Sequence, residues 1–122
     1  MSIATSPIDE ILADLRLGKM GILVDEESDQ GEADLCQIAE LTTPDSINFV
    51  ATHARGLVCL ALTEEKIREL GVPLLGNGRP SANKRVFGAS IEARRGVTTG
   101  ISAYDRALTI RSAVKEGAGP ED

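Results

Sequence analysis

Between Asp25 and Asp34 the chain holds six carboxylates (Asp25, Glu26, Glu27, Asp29, Glu32 and Asp34) in ten residues, with no basic side chain among them. Carboxylates at that density repel one another, and crowding raises some of their pKa values unless a cation intervenes. Hard divalent cations such as Mg2+ take oxygen ligands of this kind. A solvated acidic loop is the other reading of the same run. A calcium EF-hand is excluded: Gly31 stands one position too late, and Cys36 occupies the place that needs Glu. A second run, Gly96-Val97-Thr98-Thr99-Gly100-Ile101-Ser102, joins two glycines, two threonines and a helix start. Backbone N–H groups and hydroxyls in such a turn can hold an anion. A plain strand-to-helix turn has the same composition, and neither the Walker nor the Rossmann fingerprint fits. His53, the only histidine, reads as a general base or as a cation at a helix end. Cys59 lies between apolar residues and reads as a buried, inert thiol. One His and two scattered Cys give no zinc-site spacing.

These residues need elements to position them. Ser6-Pro7-Ile8-Asp9 reads as a helix start with Ser6 as N-cap and Asp9 completing a capping-box pattern. Ile8, Ile11, Leu12 and Leu15 follow at helical spacing, and Gly18 ends the helix. Met20–Val24 is a short apolar run, hence a buried strand, and residues 25–34 break it. Thr42-Thr43-Pro44-Asp45 opens a second helix with Ile47 and Val50 inward and Gly56 as its stop. Leu57–Leu62 reads as the second buried strand. Thr63 caps a short helix over 64–70 in which Glu64 and Arg68 pair one turn apart. Residues 76–80 form a loop, and 85–92 alternate as a third strand with Phe87, Ala89 and Ile91 on one face. Ser102 to Asp105 is a further capping box, opening a helix through Ala107, Ile110, Arg111 and Val114 that Gly117 stops. Strands interleaved with helices predict one α+β domain over residues 1–122, a small mixed sheet flanked by helices.

Composition bounds the function. The chain has 122 residues, 42% hydrophobic and 26% charged, within the range of one soluble domain. No apolar run approaches the roughly 18 residues of a membrane span. A net charge of −6 argues against nucleic acid and anionic membrane as partners. Phe49, Phe87 and Tyr104 are the only aromatics, too few for a base-stacking platform. Two isolated cysteines suit a reducing cytoplasm better than a disulfide scaffold.

The order and spacing of Val24-Asp25-Glu26-Glu27, Glu32-Ala33-Asp34-Leu35, Gly56-Leu57-Val58-Cys59 and Gly96-Val97-Thr98-Thr99-Gly100-Ile101-Ser102-Ala103-Tyr104-Asp105-Arg106 resemble those of 3,4-dihydroxy-2-butanone 4-phosphate synthases along nearly the whole chain. The last segment matches that family's hallmark at every defined position. The resemblance implies a magnesium- or manganese-dependent lyase of riboflavin biosynthesis. Its reaction turns ribulose 5-phosphate into 3,4-dihydroxy-2-butanone 4-phosphate and formate. It implies Glu32 and Asp34 as catalytic residues, with lesser roles for Asp25, Glu27, Cys59 and His53. Asp34, Asp29, Gln30, Thr98 and Thr99 would bind substrate, and Gln30 and Glu32 the metal. Two positions depart from the pattern: the family's Arg falls on Asp29, and its metal-binding Glu on Gln30. Family chains also continue with Arg-Pro-Gly-His and His-Thr-Glu segments that supply a metal-ligating His, phosphate contacts and a catalytic Glu. The present chain therefore reads as an amino-terminal half, working as a homodimer or with a complementing half. The alternative is a catalytically inactive truncated homologue that dimerises or binds a sugar phosphate.

Overall fold

A computed structural model describes residues 4–25, 32–80 and 85–122. Helix α1 (Ile8–Arg16) leads into strand β1 (Gly21–Val24), which pairs with β2 (Ala33–Cys36). Helices α2 (Pro44–His53), α3 (Glu64–Glu69) and α4 (Ala103–Val114) follow, with short 3-10 turns at Ala39–Leu41 and Leu75–Gly78. The class is α+β. Among the described residues the sheet is a two-stranded antiparallel hairpin rather than a small mixed sheet, with Gly21 opposite Cys36 and Leu23 opposite Asp34.

The helix starts obey local chemistry, with one shift of register. Thr43 caps α2: its hydroxyl accepts the Ser46 amide at 3.1 Å, and the Ser46 hydroxyl accepts the Thr43 amide at 2.9 Å. That reciprocal box satisfies two donors the helix start would otherwise leave unpaired. At α1 the start is Pro7 instead of Ser6, without a side-chain cap. The Pro7 carbonyl accepts from Glu10 and Ile11, so the helical hydrogen bonds start from Pro7, one residue after the expected cap. Thr63 and Ser102 cap α3 and α4 as their sequences imply, accepting the amides of Lys66 at 3.2 Å and Asp105 at 3.0 Å. Glu64 and Arg68 meet at 3.1 Å. Helix α2 stops at His53, short of Gly56, because Arg55 takes the left-handed turn (φ 56°) that Gly56 was expected to supply.

The strands deviate more. β2 forms inside the run that the acidic composition marks as a break, because Ala33-Asp34-Leu35-Cys36 alternates just enough to pair with β1. Residues 57–62, expected as a buried strand, make no ladder, and Leu57 is 83% exposed. A strand needs a partner for its backbone groups, and none of the described residues provides one. Of the strand expected at 85–92, one bridge forms, Leu74 with Gly88, flanked by hydrogen bonds from Leu75 to Phe87 and from Ala89 to Pro73. β1 is not buried either: Ile22 and Leu23 are exposed, while Gly21 packs beside Ile11 and Leu15 of α1.

The core lies where α2 meets α4. Its buried apolar members are Ile47, Ala93, Ala107, Ala113 and Ala118, and the small side chains let the two helices approach closely. The inward face of α4 runs through Asp105, Ala107, Thr109 and Ala113 rather than Ile110, Arg111 and Val114. Thr109 accepts the Ala93 amide at 3.0 Å, so the buried hydroxyl is satisfied. Among the described residues no helix is long and apolar enough to cross a membrane.

Candidate functional site

The acidic hairpin comes first. Asp25 donates its amide to the Glu32 carbonyl at 3.1 Å, extending the β1–β2 register by one pair. Residues opposite each other in an antiparallel ladder share a face, as do residues two apart on one strand. Asp25, Glu32 and Asp34 therefore lie on one face, Glu32 and Asp34 roughly 7 Å apart along the strand. At its other end the same face carries Cys36 and Gly21. The Cys36 thiol donates to the Gly21 carbonyl at 3.3 Å, joining the two strands at the hairpin's open end, where Gly21 lies beside Ile11 and Leu15 of α1. Glu27, Asp29 and Gln30 lie outside the described residues. Among the described residues no three His, Cys, Asp or Glu side chains converge as a complete metal-binding group. Carboxylates on one face nonetheless suit a hard cation that keeps most of its waters and takes one or two protein oxygens.

The hairpin has a cation that its own sequence lacks. Arg85 reaches Asp34 with Nη2 at 2.9 Å from Oδ2, across 51 residues of chain. No local pattern announces such a pair; the alternation of 85–92 marks a strand edge and nothing more.

The threonine turn does hold an anion, and the anion is the protein's own. Asp105, fully buried on the first turn of α4, accepts five hydrogen bonds. The amides of Thr98, Thr99 and Gly100 donate at 3.2, 3.1 and 3.0 Å, and the hydroxyls of Thr98 and Thr99 at 3.1 and 3.2 Å. The Thr99 oxygen also accepts the Ile101 and Ser102 amides. Burial alone pushes the Asp105 carboxyl up, but hydrogen bonding with Ser102, Thr98 and Gly100 outweighs it and holds the pKa at about 2. The capping box expected from Ser102 and Asp105 is thus half made: Ser102 caps the helix, while the Asp105 side chain turns to the loop. Gly100 sits at φ 76°, and a β-carbon there would run into the Glu92 carboxylate. Asp105 and Glu92 went unassigned from sequence; the Asp six and seven residues after a threonine pair was the available signal.

His53 ends α2, exposed, with its ring 4.5 Å from that of Phe49. That is the helix-end position, where a cation meets the carbonyl end of the dipole. Cys59 is exposed rather than buried, because the segment around it forms no ladder. Asp34 of the hairpin pairs with Arg85, while the turn closes on Asp105, so the residues the sequence singles out fall into two centres.

A family model described as 3,4-dihydroxy-2-butanone 4-phosphate synthase matches residues 9–122. A protein of that name from Neisseria meningitidis serogroup A is 50% identical over 117 residues, which are 96% of this chain and 32% of the relative. The crystal structure of RibBX, a two-domain 3,4-dihydroxy-2-butanone 4-phosphate synthase from A. baumannii, superposes with a TM-score of 0.86 at 47% identity, covering 96% of this chain and 34% of that one. A 3,4-dihydroxy-2-butanone 4-phosphate synthase structure in complex with two magnesium ions gives a TM-score of 0.88 at 31% identity, covering 95% of this chain and 54% of the other. The chain thus spans about a third to a half of the length of these proteins.

Proposed function

Since the chain belongs to the 3,4-dihydroxy-2-butanone 4-phosphate synthase family, we propose that it supplies the acidic metal-binding face and the ordered threonine turn of such an enzyme. The reaction is the conversion of ribulose 5-phosphate to 3,4-dihydroxy-2-butanone 4-phosphate and formate in riboflavin biosynthesis, in the cytoplasm. The observation that carries this reading is the single face shared by Asp25, Glu32 and Asp34, oxygen ligands of the kind hard divalent cations take; one related structure is a complex with two magnesium ions. Glu32 and Gln30 would hold Mg2+ or Mn2+, and Asp34, Asp29 and Gln30 the substrate. A bound cation would polarise neighbouring substrate oxygens. Glu32 and Asp34, both exposed, can then accept protons from substrate hydroxyls and return them. Thr98 and Thr99, with both hydroxyl protons committed to Asp105, offer the sugar phosphate a fixed rim rather than free donors. The functional unit is a homodimer or includes a complementing half.

The test is formate release from ribulose 5-phosphate with magnesium. This chain alone should release none above background, and Asp29→Arg with Gln30→Glu should not rescue it. A chimera in which it replaces the matched region of the Neisseria relative should release formate. That activity should fall by about a hundredfold or more on Glu32→Gln or Asp34→Asn. A chimera indifferent to both substitutions overturns the assignment.

A further inference from the structure

The acidic run carries six carboxylates and no basic residue, yet Asp34 pairs with a cation from far along the chain. Arg85 binds Asp34 through one guanidinium nitrogen on one carboxylate oxygen, at 2.9 Å. Both side chains are about half exposed, 48% for Arg85 and 60% for Asp34. Exchange of the partner therefore needs no desolvation step. Arginine stays charged at every accessible pH, so this counter-ion is permanent and is removed only by competition. We propose that Arg85 is a resident counter-ion of the acidic face, held at Asp34, which a divalent cation taken up beside Glu32 displaces, so that metal entry to that face and release of the guanidinium are one event. The inference rests on the reading of that face as a metal site.

Two features make the two cations exclusive. The oxygen that accepts the guanidinium N–H lies on the face where the carboxylates gather, and a divalent ion seated there would put like charges within a few ångströms of each other. Linkage then runs both ways: whatever factor Arg85 takes from metal affinity, the metal takes from the Arg85–Asp34 pair. Arg85 is thereby a positioning residue. It acts on the metal through Asp34 and holds that carboxylate in place until the metal arrives.

The experiment is a Mn2+ titration of the full chain, with free Mn2+ read by electron paramagnetic resonance at low salt. The variants are Arg85→Gln, Arg85→Lys, Asp34→Asn and the Asp34→Asn/Arg85→Gln pair. Arg85→Gln should bind Mn2+ about two- to fivefold more tightly than wild type, the range of an exposed ion pair. Arg85→Lys, which keeps the charge, should stay near wild type. Asp34→Asn should weaken binding, and adding Arg85→Gln to it should change nothing further. In wild type, Mg2+ should move the Arg85 side-chain Nε–H resonance toward that of free arginine, and in Asp34→Asn it should not. Unchanged or weaker binding by Arg85→Gln, where wild type binds, overturns the proposal and leaves the metal reading standing. Equal gain with and without the Asp34 carboxylate also overturns it. Failure of wild type and Arg85→Gln alike to bind Mn2+ overturns the metal reading and the proposal with it.

Discussion

Asp105 decides the shape of the most distinctive segment of the chain. A turn with this many inward N–H and O–H groups would be costly to bury around nothing, since each unsatisfied donor loses its water without recompense. One carboxylate answers five of them, and that is why it stays ionised despite burial. Its folded pKa, about 2, lies below the ordinary aspartate value of 3.8. The group therefore stabilises the fold fully above the unfolded value, and that contribution is lost as pH falls from there through the folded pKa. Circular dichroism should show the protein losing stability between about pH 4 and pH 2. Asp105→Asn, which replaces an acceptor by an amide that aims donors at donors, should lower the Tm by roughly 5–10 °C at neutral pH. It should also flatten that acid transition. An acid profile unchanged by the substitution would mean that other carboxylates carry it.

At the scale of elements, the turn before α4 depends on a backbone that only glycine adopts at low cost. Gly100 lies at φ 76°, with the Glu92 carboxylate across from it. Gly100→Ala should destabilise by about 1–2 kcal/mol, the cost of a β-carbon in the left-handed region. The Glu92 contact is with the far end of a flexible chain that can swing away. Glu92→Ala should therefore not restore Gly100→Ala, as urea unfolding of the single and double variants will show. Full restoration would place the cost in the side-chain clash instead. The hairpin is built on a different principle. Its two strands hold four register pairs, and its open end is held by the Cys36 thiol on the Gly21 carbonyl and by packing of Gly21 against α1. Its acidic end is joined to the rest of the chain by the Arg85 pair, an exposed contact whose net worth is small. A weak tether at the end where ligands arrive leaves the carboxylates free to change partner.

The whole molecule has a small core for its length. Among the described residues five apolar side chains are buried, four of them alanine, while Ile8, Leu17, Ile22, Leu23, Leu75 and Ile101 are exposed. Exposed apolar surface on this scale marks an interaction face or an association hazard. The family relatives are two to three times longer than the matched region, which agrees with a surface that has more chain to meet. The isolated chain should therefore self-associate at micromolar concentration, and light scattering reporting a stable monomer would count against it. An Ile22→Asp variant should shift the distribution toward monomer if the hairpin face that carries Ile22 and Leu35, opposite the acidic one, takes part.

What the residues alone determined was local or compositional. The caps at Thr63 and Ser102, the one-turn pair of Glu64 and Arg68, the α+β class and the family pattern each depend on neighbours a few positions apart or on order along the chain. Such signals survive without knowledge of the fold. Tertiary structure decided the rest. The Leu57–Leu62 run has the composition of a strand, but a strand exists only with a partner, so Cys59 is exposed instead of buried. β2 hides in an acidic stretch because pairing with β1 outweighs a weak alternation. The Gly96–Ser102 turn was readable as an anion holder, yet only the packing of α4 against it made Asp105 the anion. Arg85 reaches Asp34 across 51 residues, a distance at which sequence carries no charge-pair signal and only the folded chain chooses the partner.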